Sequence, residues 1–261
     1  MKLTNLCFIN TFFTLPSIFQ DLIIAVYSPI IQFKEMVGIL VVLALSWLLL
    51  WLFSKEHLTV LGIVPNQKRF TEFLIGSILM GAFCLINLLG QSYFTGISYV
   101  RNPDYGFWEA LNGVWWTLKA ALFEELVFRG ALLYLLIKKI GAKWACIISA
   151  IAFGIYHWFS YQMFDRGLIP MIYVFFLTGA GGWMFAYAFA KTKSLFAPLG
   201  LHFGWIVISI VVLSAGPLGN SLFIVEGNVT ELGGWEQLLF FLWQTVIVPG
   251  AITWYLVNRY R

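Results

Sequence analysis

The sequence predicts an all-α protein, a polytopic transmembrane helical bundle with seven or eight spans. Of its 261 residues, 61% are hydrophobic and only 11% are charged, with a mean hydropathy of +0.85. Soluble domains are typically about half apolar and a quarter charged. Many apolar runs approach the ~20 residues that a helix needs to cross a bilayer core. Strands of a membrane barrel would alternate apolar and polar residues, and these runs do not.

The apolar runs define the predicted spans in chain order. They cover residues 37–53, 70–90, 108–137, 144–161, 167–190, 194–214 and 235–257. Residues 5–33 form a further apolar segment, which Pro16 and Asp21 interrupt. We therefore expect that segment to be either an eighth span or a helix lying in the membrane interface.

Basic residues follow a pattern that predicts orientation. They gather in every second loop and at the C-terminus, as Lys55, Lys68, Arg69, Lys138, Lys139, Lys143, Lys191, Lys193, Arg259 and Arg261. The alternate loops contain only two basic residues, Arg101 and Arg166, and cover residues 91–107, 162–166 and 215–234. Cytoplasmic loops carry the excess of Lys and Arg, so we expect a cytosolic C-terminus. Because the net charge of +4 lies in short loops, no nucleic-acid partner is predicted.

Six ionisable residues stand out inside the apolar runs: Lys119, Glu124, Glu125, Arg129, His157 and His202. A charge at the bilayer centre costs about 2.5–3.5 kcal/mol on insertion scales, so each needs a partner or a wet cavity. Glu125 and Arg129 are four residues apart, which is ion-pair spacing on a helix. Glu124 is turned by about 100° from Glu125 and can therefore serve another partner.

Helix spacing predicts that His157 meets Glu124. Each lies 14 residues from the loop at 138–143, on opposite sides of it. A short loop joins antiparallel neighbours, so both residues should lie about 21 Å from that loop. His202 is only eight residues beyond Ser194. It reaches the same level only if its helix starts deeper, as an inward-dipping segment at Ala197–Pro198 would allow.

A glutamate with two histidines suits two kinds of chemistry. A carboxylate can take a proton from water that then attacks a carbonyl. Two histidines and a carboxylate also form a zinc ligand set, although the chain lacks an HExxH motif. Structural alternatives are a Glu–Arg brace and packed histidines. Cys7, Cys84 and Cys146 have no metal-binding spacing and are predicted to be buried thiols. We predict neither a metal nor a cofactor.

Three motifs resemble those of the CPBP intramembrane proteases, which include CAAX prenyl endopeptidases and bacteriocin-processing and abortive-infection proteins. Glu124-Glu125 with Arg129 resembles the EExxxR motif, and Phe153 with His157 resembles FxxxH. The segment from Ser194 to His202 resembles the approach to the third motif. The small residues 179–182 fit the close helix packing of that family. The resemblance covers about residues 110–210.

The resemblance implies a glutamate-dependent membrane endopeptidase. Glu124 would activate water, His157 would assist, and His202 would stabilise the oxyanion. Glu125, Arg129 and Phe153 would support the site or contact substrate. The substrate would be a membrane-associated peptide or protein, cut at a leader or a C-terminal segment. Separately from the resemblance, we expect the protein to lie in a bacterial plasma membrane. We accordingly divide the chain into N-terminal helices (1–107), a catalytic core (108–214), and an outer loop with the C-terminal helix (215–261).

One position departs from the family pattern. The third motif commonly has Asn or Asp four residues after its histidine, where this chain has Ile206. Loss of one oxyanion donor can lower the rate 10²–10³-fold. Ile206 therefore keeps open a non-catalytic scaffold or immunity protein of the same fold. A zinc metalloprotease is the third alternative.

Overall fold

The structure is a computed structural model that describes residues 17–213, 218, 220–227 and 230–260, with side chains from Met36 onward. Its helices are α1 (Ser17–Ser54), α2 (Gln67–Thr95), α3 (Phe107–Arg129), α4 (Ala131–Ser160), α5 (Leu168–Thr192), α6 (Phe196–Ile206), α7 (Gly234–Leu242) and α8 (Val248–Arg259). π-helical segments continue α6 over Val207–Val212 and join α7 to α8 over Trp243–Ile247. Strands β1 (Ser98–Arg101) and β2 (Phe223–Glu226) pair in antiparallel fashion. The predicted helical class is confirmed.

Four helical stretches in the described residues are long and apolar enough to cross a membrane: Met36–Ser54, Gln67–Thr95, Leu168–Thr192 and Gly234–Arg259. They confirm a helical integral membrane protein, but not the predicted count of seven or eight spans. The predicted spans 108–137 and 144–161 carry ionisable residues, and the apolar helix Phe196–Val212 is shorter than a span. Residues 17–33 continue directly into the next helix, making α1 one helix of 38 residues. Residues 5–16 lie outside the described part.

Two glycines correct the predicted boundaries around 108–161. Gly130 ends α3, and a Cβ there would lie 2.1 Å from the Leu126 carbonyl oxygen. The predicted span 108–137 is therefore divided. The loop predicted at 138–143 is instead a one-residue break at Gly141, whose φ of 80° suits glycine. Ser149 Oγ donates to the Phe128 carbonyl oxygen at 3.2 Å across this break, so the predicted antiparallel neighbours are present.

Contacts bring the basic segments to one end of the bundle. Lys138 Nζ lies 3.1 Å from Glu56 Oε2, which follows α1. The Leu195 amide donates to the Leu61 carbonyl oxygen at 3.0 Å, and the Tyr260 hydroxyl donates to Glu72 Oε1 at 3.1 Å. The strands β1 and β2 join the two long loops that are poor in basic residues. The predicted alternation of loops thus matches the spatial arrangement.

Glycines set the spacing between the helices that carry the site. A Cβ at Gly200 or Gly204 of α6 would lie 2.2 Å from a carbonyl oxygen of α2, so the two backbones are in contact. Between α4 and α5, a Cβ at Gly182 would lie 2.9 Å from Phe153 Cβ. Gly182 therefore provides the close packing expected of residues 179–182. Cys84 and Cys146 are buried free thiols, as predicted, and Cys7 lies outside the described residues.

Candidate functional site

Helix α3 carries the first part of the site. Arg129 Nη1 donates to Glu125 Oε1 at 3.2 Å, and both side chains are completely buried. The i,i+4 spacing on one helical face produces this ion pair. Removing two charges from solvent is costly unless further contacts compensate. The surroundings of Arg129 supply such contacts.

Arg129 is held by α5 and by aromatic rings. Its Nη2 donates to the Gly182 carbonyl oxygen at 2.9 Å. The guanidinium carbon lies 4.3 Å from the Phe153 ring centroid and 5.2 Å from that of Phe185. Such cation–π contacts are stronger when desolvated, reaching about 2 kcal/mol. Phe153, predicted as site support, thus contacts the buried cation directly.

His202 links the two glutamates. Its Nδ1 lies 2.9 Å from Glu125 Oε1, and its Nε2 lies 3.8 Å from Glu124 Oε2. The imidazole stacks on the Phe185 ring, with centroids 4.9 Å apart and planes at 17°. Since Glu125 already accepts from Arg129, one carboxylate oxygen joins the cation and the histidine. The sequence prediction had not foreseen this bridge.

The start of α6 explains how His202 reaches this level. Ser194 and Leu195 are buried, and Leu195 is tied to Leu61 by a backbone hydrogen bond. Ala197 is also buried at the first turn of the helix. The chain therefore enters the protein before the helix begins, as the sequence Ala197–Pro198 suggested. His202 then lies between Gly200 and Gly204, where α6 contacts α2 most closely.

His157 lies next to the same aromatic cluster. Its Nδ1 is 2.8 Å from the Phe153 carbonyl oxygen, which can only accept, so Nδ1 carries the proton. In the neutral ring, Nε2 is then an acceptor. The ring packs edge-on against Phe153 and Tyr161, with centroids at 4.5 and 4.9 Å. Among the described residues, Glu124 and His157 form neither a hydrogen bond nor an ion pair.

Tyr156 occupies the position beside Glu124 that the spacing argument gave to His157. Its hydroxyl lies near the Glu124 carboxylate and interacts with it electrostatically. The depth estimate therefore placed this turn of α4 beside Glu124, and the side chain of this turn that interacts with Glu124 is Tyr156. Neighbouring helical residues point about 100° apart, and equal depth alone does not fix that rotation. The sequence signal for Tyr156 is only its place immediately before the motif histidine.

Other polar atoms complete the description of the site. Glu125 Oε2 and Arg129 Nε are buried without a hydrogen-bond partner among the described residues. Lys119 is also buried, with its Nζ 5.9 Å from the Trp115 ring centroid. Ile206 is partly buried at the end of α6, one turn beyond His202. In the described part of the chain, no three His, Cys, Asp or Glu side chains are grouped to hold a metal ion.

A known protein family matches part of the chain. The model of the family described as Type II CAAX prenyl endopeptidase Rce1-like matches residues 106–208. Comparisons with curated proteins and with solved structures gave no match. The matched segment contains all five ionisable residues at the site and agrees with the region of resemblance at about 110–210. The matched family is one of proteases. The resemblance predicted from the three motifs is confirmed over residues 106–208, which are similar to the Rce1-like, CAAX-protease-type family.

Proposed function

We propose that this protein is an intramembrane glutamic-type endopeptidase in which Glu124 activates the attacking water. The observation that carries the proposal is the position of His202 between two carboxylates, 2.9 Å from Glu125 and 3.8 Å from Glu124. One carboxylate, Glu125, is committed to Arg129 and His202. The other is left to accept a proton. Adjacent carboxylates in different environments are a common basis for assigning different roles.

Glu124 suits the role of general base because it is the less enclosed carboxylate. Its side chain is 20% exposed, whereas that of Glu125 is fully buried. A general base must reach the proton that it takes, directly or through one water. His157 supports this role, since the Nε2 of its neutral ring can accept a hydrogen bond from the same water.

His202 suits the role of oxyanion donor. Its Nδ1–H donates to Glu125, so a doubly protonated ring directs its remaining N–H toward the Glu124 side of the site. The Tyr156 hydroxyl is a second hydrogen-bond donor for the oxyanion. It supplies the donor group that the apolar side chain of Ile206 cannot.

The proposed reaction needs no additional reactant. Glu124 takes a proton from water while the oxygen attacks the peptide carbonyl carbon. The resulting oxyanion accepts hydrogen bonds from His202 and Tyr156. The C–N bond then breaks, and Glu124 returns its proton to the leaving amine. Preorganised donors of this kind contribute about 2.7–4 kcal/mol each to transition-state stabilisation.

The proposed substrate is a membrane-associated peptide or protein, cut at a leader or at a C-terminal sorting or processing segment. The name of the matched family, a CAAX prenyl endopeptidase, supports C-terminal processing. We further propose a bacterial plasma membrane with the C-terminus cytosolic, which the common end of the basic segments supports. The lipid bilayer is then the working environment, and nucleic acid is not a partner.

The test uses the full chain in liposomes with a fixed panel of probes: membrane-anchored leader peptides, and C-terminal peptides with and without a prenyl group. Cleavage is followed by mass spectrometry. We expect cleavage of at least one probe, and a loss of about 10³-fold in Glu124→Gln, within the range for removal of a general base. Glu231→Gln, in an exposed part of the outer loop, is the matched control.

Two further outcomes separate the alternatives. Equal cleavage by wild type and Glu124→Gln contradicts the catalytic role of Glu124. Loss of activity with a chelator, together with stoichiometric metal, supports the zinc metalloprotease instead. If no probe is cut, peptides that accumulate in cells lacking the protein supply the next panel. If none accumulates, the non-catalytic scaffold or immunity protein is favoured.

A further inference from the structure

A cleft lies at the basic end of the bundle, on segments separate from the candidate active site. It has a volume of about 460 Å³ and lies between the start of α2 and the end of α8. Its lining includes Lys68 and Glu72 from α2, and Tyr255, Arg259 and Tyr260 from the C-terminal segment. Both helices belong to predicted membrane-crossing stretches, so the cleft lies where spans end. Ligand sites typically have volumes of about 300–1,000 Å³.

Glu72 gives the cleft a defined hydrogen-bonding requirement. The residue is only 8% exposed, and its Oε1 accepts from the Tyr260 hydroxyl at 3.1 Å. Its Oε2 is buried and has no hydrogen-bond partner among the described residues. Burial, followed by the charge of Glu72, raises the pKa of Tyr260, which keeps that phenol a donor. A buried carboxylate oxygen without a donor is costly, so a ligand that donates hydrogen bonds is favoured there.

The rim of the same cleft favours an anion. Lys68 and Arg259 both line it. Lys68 does not form an ion pair with Glu72 among the described residues, and its Nζ lies 5.8 Å from the Tyr260 ring centroid. The N-terminus of α2, a helix of 29 residues, adds a partial positive charge. A ligand that matches this arrangement has a cationic group that donates hydrogen bonds to Glu72 and, next to it, an anionic group for Lys68 and Arg259.

We propose that this cleft binds the zwitterionic headgroup of phosphatidylethanolamine, with its ammonium at Glu72 and its phosphate between Lys68 and Arg259. The primary ammonium supplies the donor that Glu72 Oε2 lacks, and the rings of Tyr255 and Tyr260 add cation–π attraction. The acyl chains leave along the exposed apolar face of α2, which includes Phe70, Leu74 and Ile78. Phosphatidylcholine has the same phosphate, but its quaternary ammonium cannot donate a hydrogen bond.

The experiment compares lipids retained by the full chain. The protein is placed in nanodiscs of equimolar phosphatidylethanolamine, phosphatidylcholine and phosphatidylglycerol, then released, and bound lipids are counted by native mass spectrometry. We expect wild type to retain phosphatidylethanolamine about fivefold to tenfold over phosphatidylcholine, as one charge-assisted hydrogen bond allows. Glu72→Gln should bring this ratio close to one. Lys68→Gln with Arg259→Gln should lower retention of all three lipids.

A control variant, thermal unfolding and a competition measurement accompany the comparison of retained lipids. Tyr260→Phe removes one partner of Glu72 but keeps the carboxylate, so it should retain the preference, and thermal unfolding checks the folding of each variant. Added phosphoethanolamine should displace little bound lipid if the acyl chains contribute, whereas full displacement identifies a soluble ligand instead. Equal retention of the two zwitterionic lipids by wild type, or an unchanged ratio in Glu72→Gln, overturns the proposal.

Discussion

The adjacent residues Glu124 and Glu125 belong to two halves of the site with opposite environments. In the closed half, Glu125 and Arg129 are completely buried, and Glu125 Oε1 lies within 3.2 Å of both Arg129 and His202. In the open half, Glu124 is 20% exposed and lies 3.8 Å from His202. In the proposed mechanism, the closed half fixes charges and the open half reacts. The two halves should therefore respond differently to substitution.

The largest effect is expected in the closed half. Arg129→Met removes the cation and leaves Glu125 as a buried carboxylate without its ion-pair partner. Breaking a buried pair in this way typically destabilises a protein by about 3–5 kcal/mol. We expect a lower free energy of unfolding, measured by denaturant titration in detergent micelles, together with loss of activity. Glu124→Gln should instead lose activity with little change in stability.

A double substitution tests whether the unpaired charge of Glu125 causes the loss of stability in Arg129→Met. Glu125→Gln combined with Arg129→Met removes both members of the pair, so no unpaired charge remains buried. We expect the double variant to be more stable than Arg129→Met alone, which appears as a coupling energy in the double-mutant cycle. Additive losses would show that Arg129 acts through its contacts with Phe153, Phe185 and Gly182, and that the ion pair is secondary.

A smaller effect is expected where the helix of His202 contacts α2. Gly204→Ala places a methyl group 2.2 Å from the Ser77 carbonyl oxygen, so α6 must shift. Overpacking of this kind costs about 1–3 kcal/mol. We expect lower stability and lower kcat, because His202 moves with the helix. Gly250→Ala in α8, where a Cβ meets nothing within 4 Å, is the matched control and should leave both unchanged or raise stability.

The open half offers a milder test through Tyr156. Tyr156→Phe removes the hydroxyl near Glu124 and keeps the ring. We expect kcat to fall about tenfold with little change in KM, because the proposed hydrogen bond from Tyr156 to the oxyanion forms only in the transition state. Tyr173→Phe, on a partly exposed stretch of α5, is the control and should retain wild-type kinetics. A change in KM alone would make Tyr156 a substrate contact.

Spacing along the sequence predicted the helices and their neighbours better than it predicted the contacts between individual side chains. It identified the helical class, the Glu125–Arg129 pair and the turn of α4 that lies beside Glu124. It did not predict that Tyr156 lies near Glu124, because rotation about a helix axis depends on packing with every neighbour. It also missed the contact between His202 and Glu125, which requires α6 to start inside the protein. The breaks at Gly130 and Gly141 were missed because apolar residues continue through both.

The smallest effect, and the one that tests the open half most directly, is expected at Ile206. This residue is four positions after His202 and so lies on the same helical face. Ile206→Asn adds a hydrogen-bond donor there, and Ile206→Leu is the matched apolar control. If Tyr156 already supplies the oxyanion donor, Asn should raise kcat by no more than about threefold in wild type. In the Tyr156→Phe background the gain should approach tenfold, because the added donor then replaces a lost one. Equal gains in the two backgrounds would mean that Tyr156 and residue 206 act independently, and Tyr156 would lose its proposed role as the substitute donor.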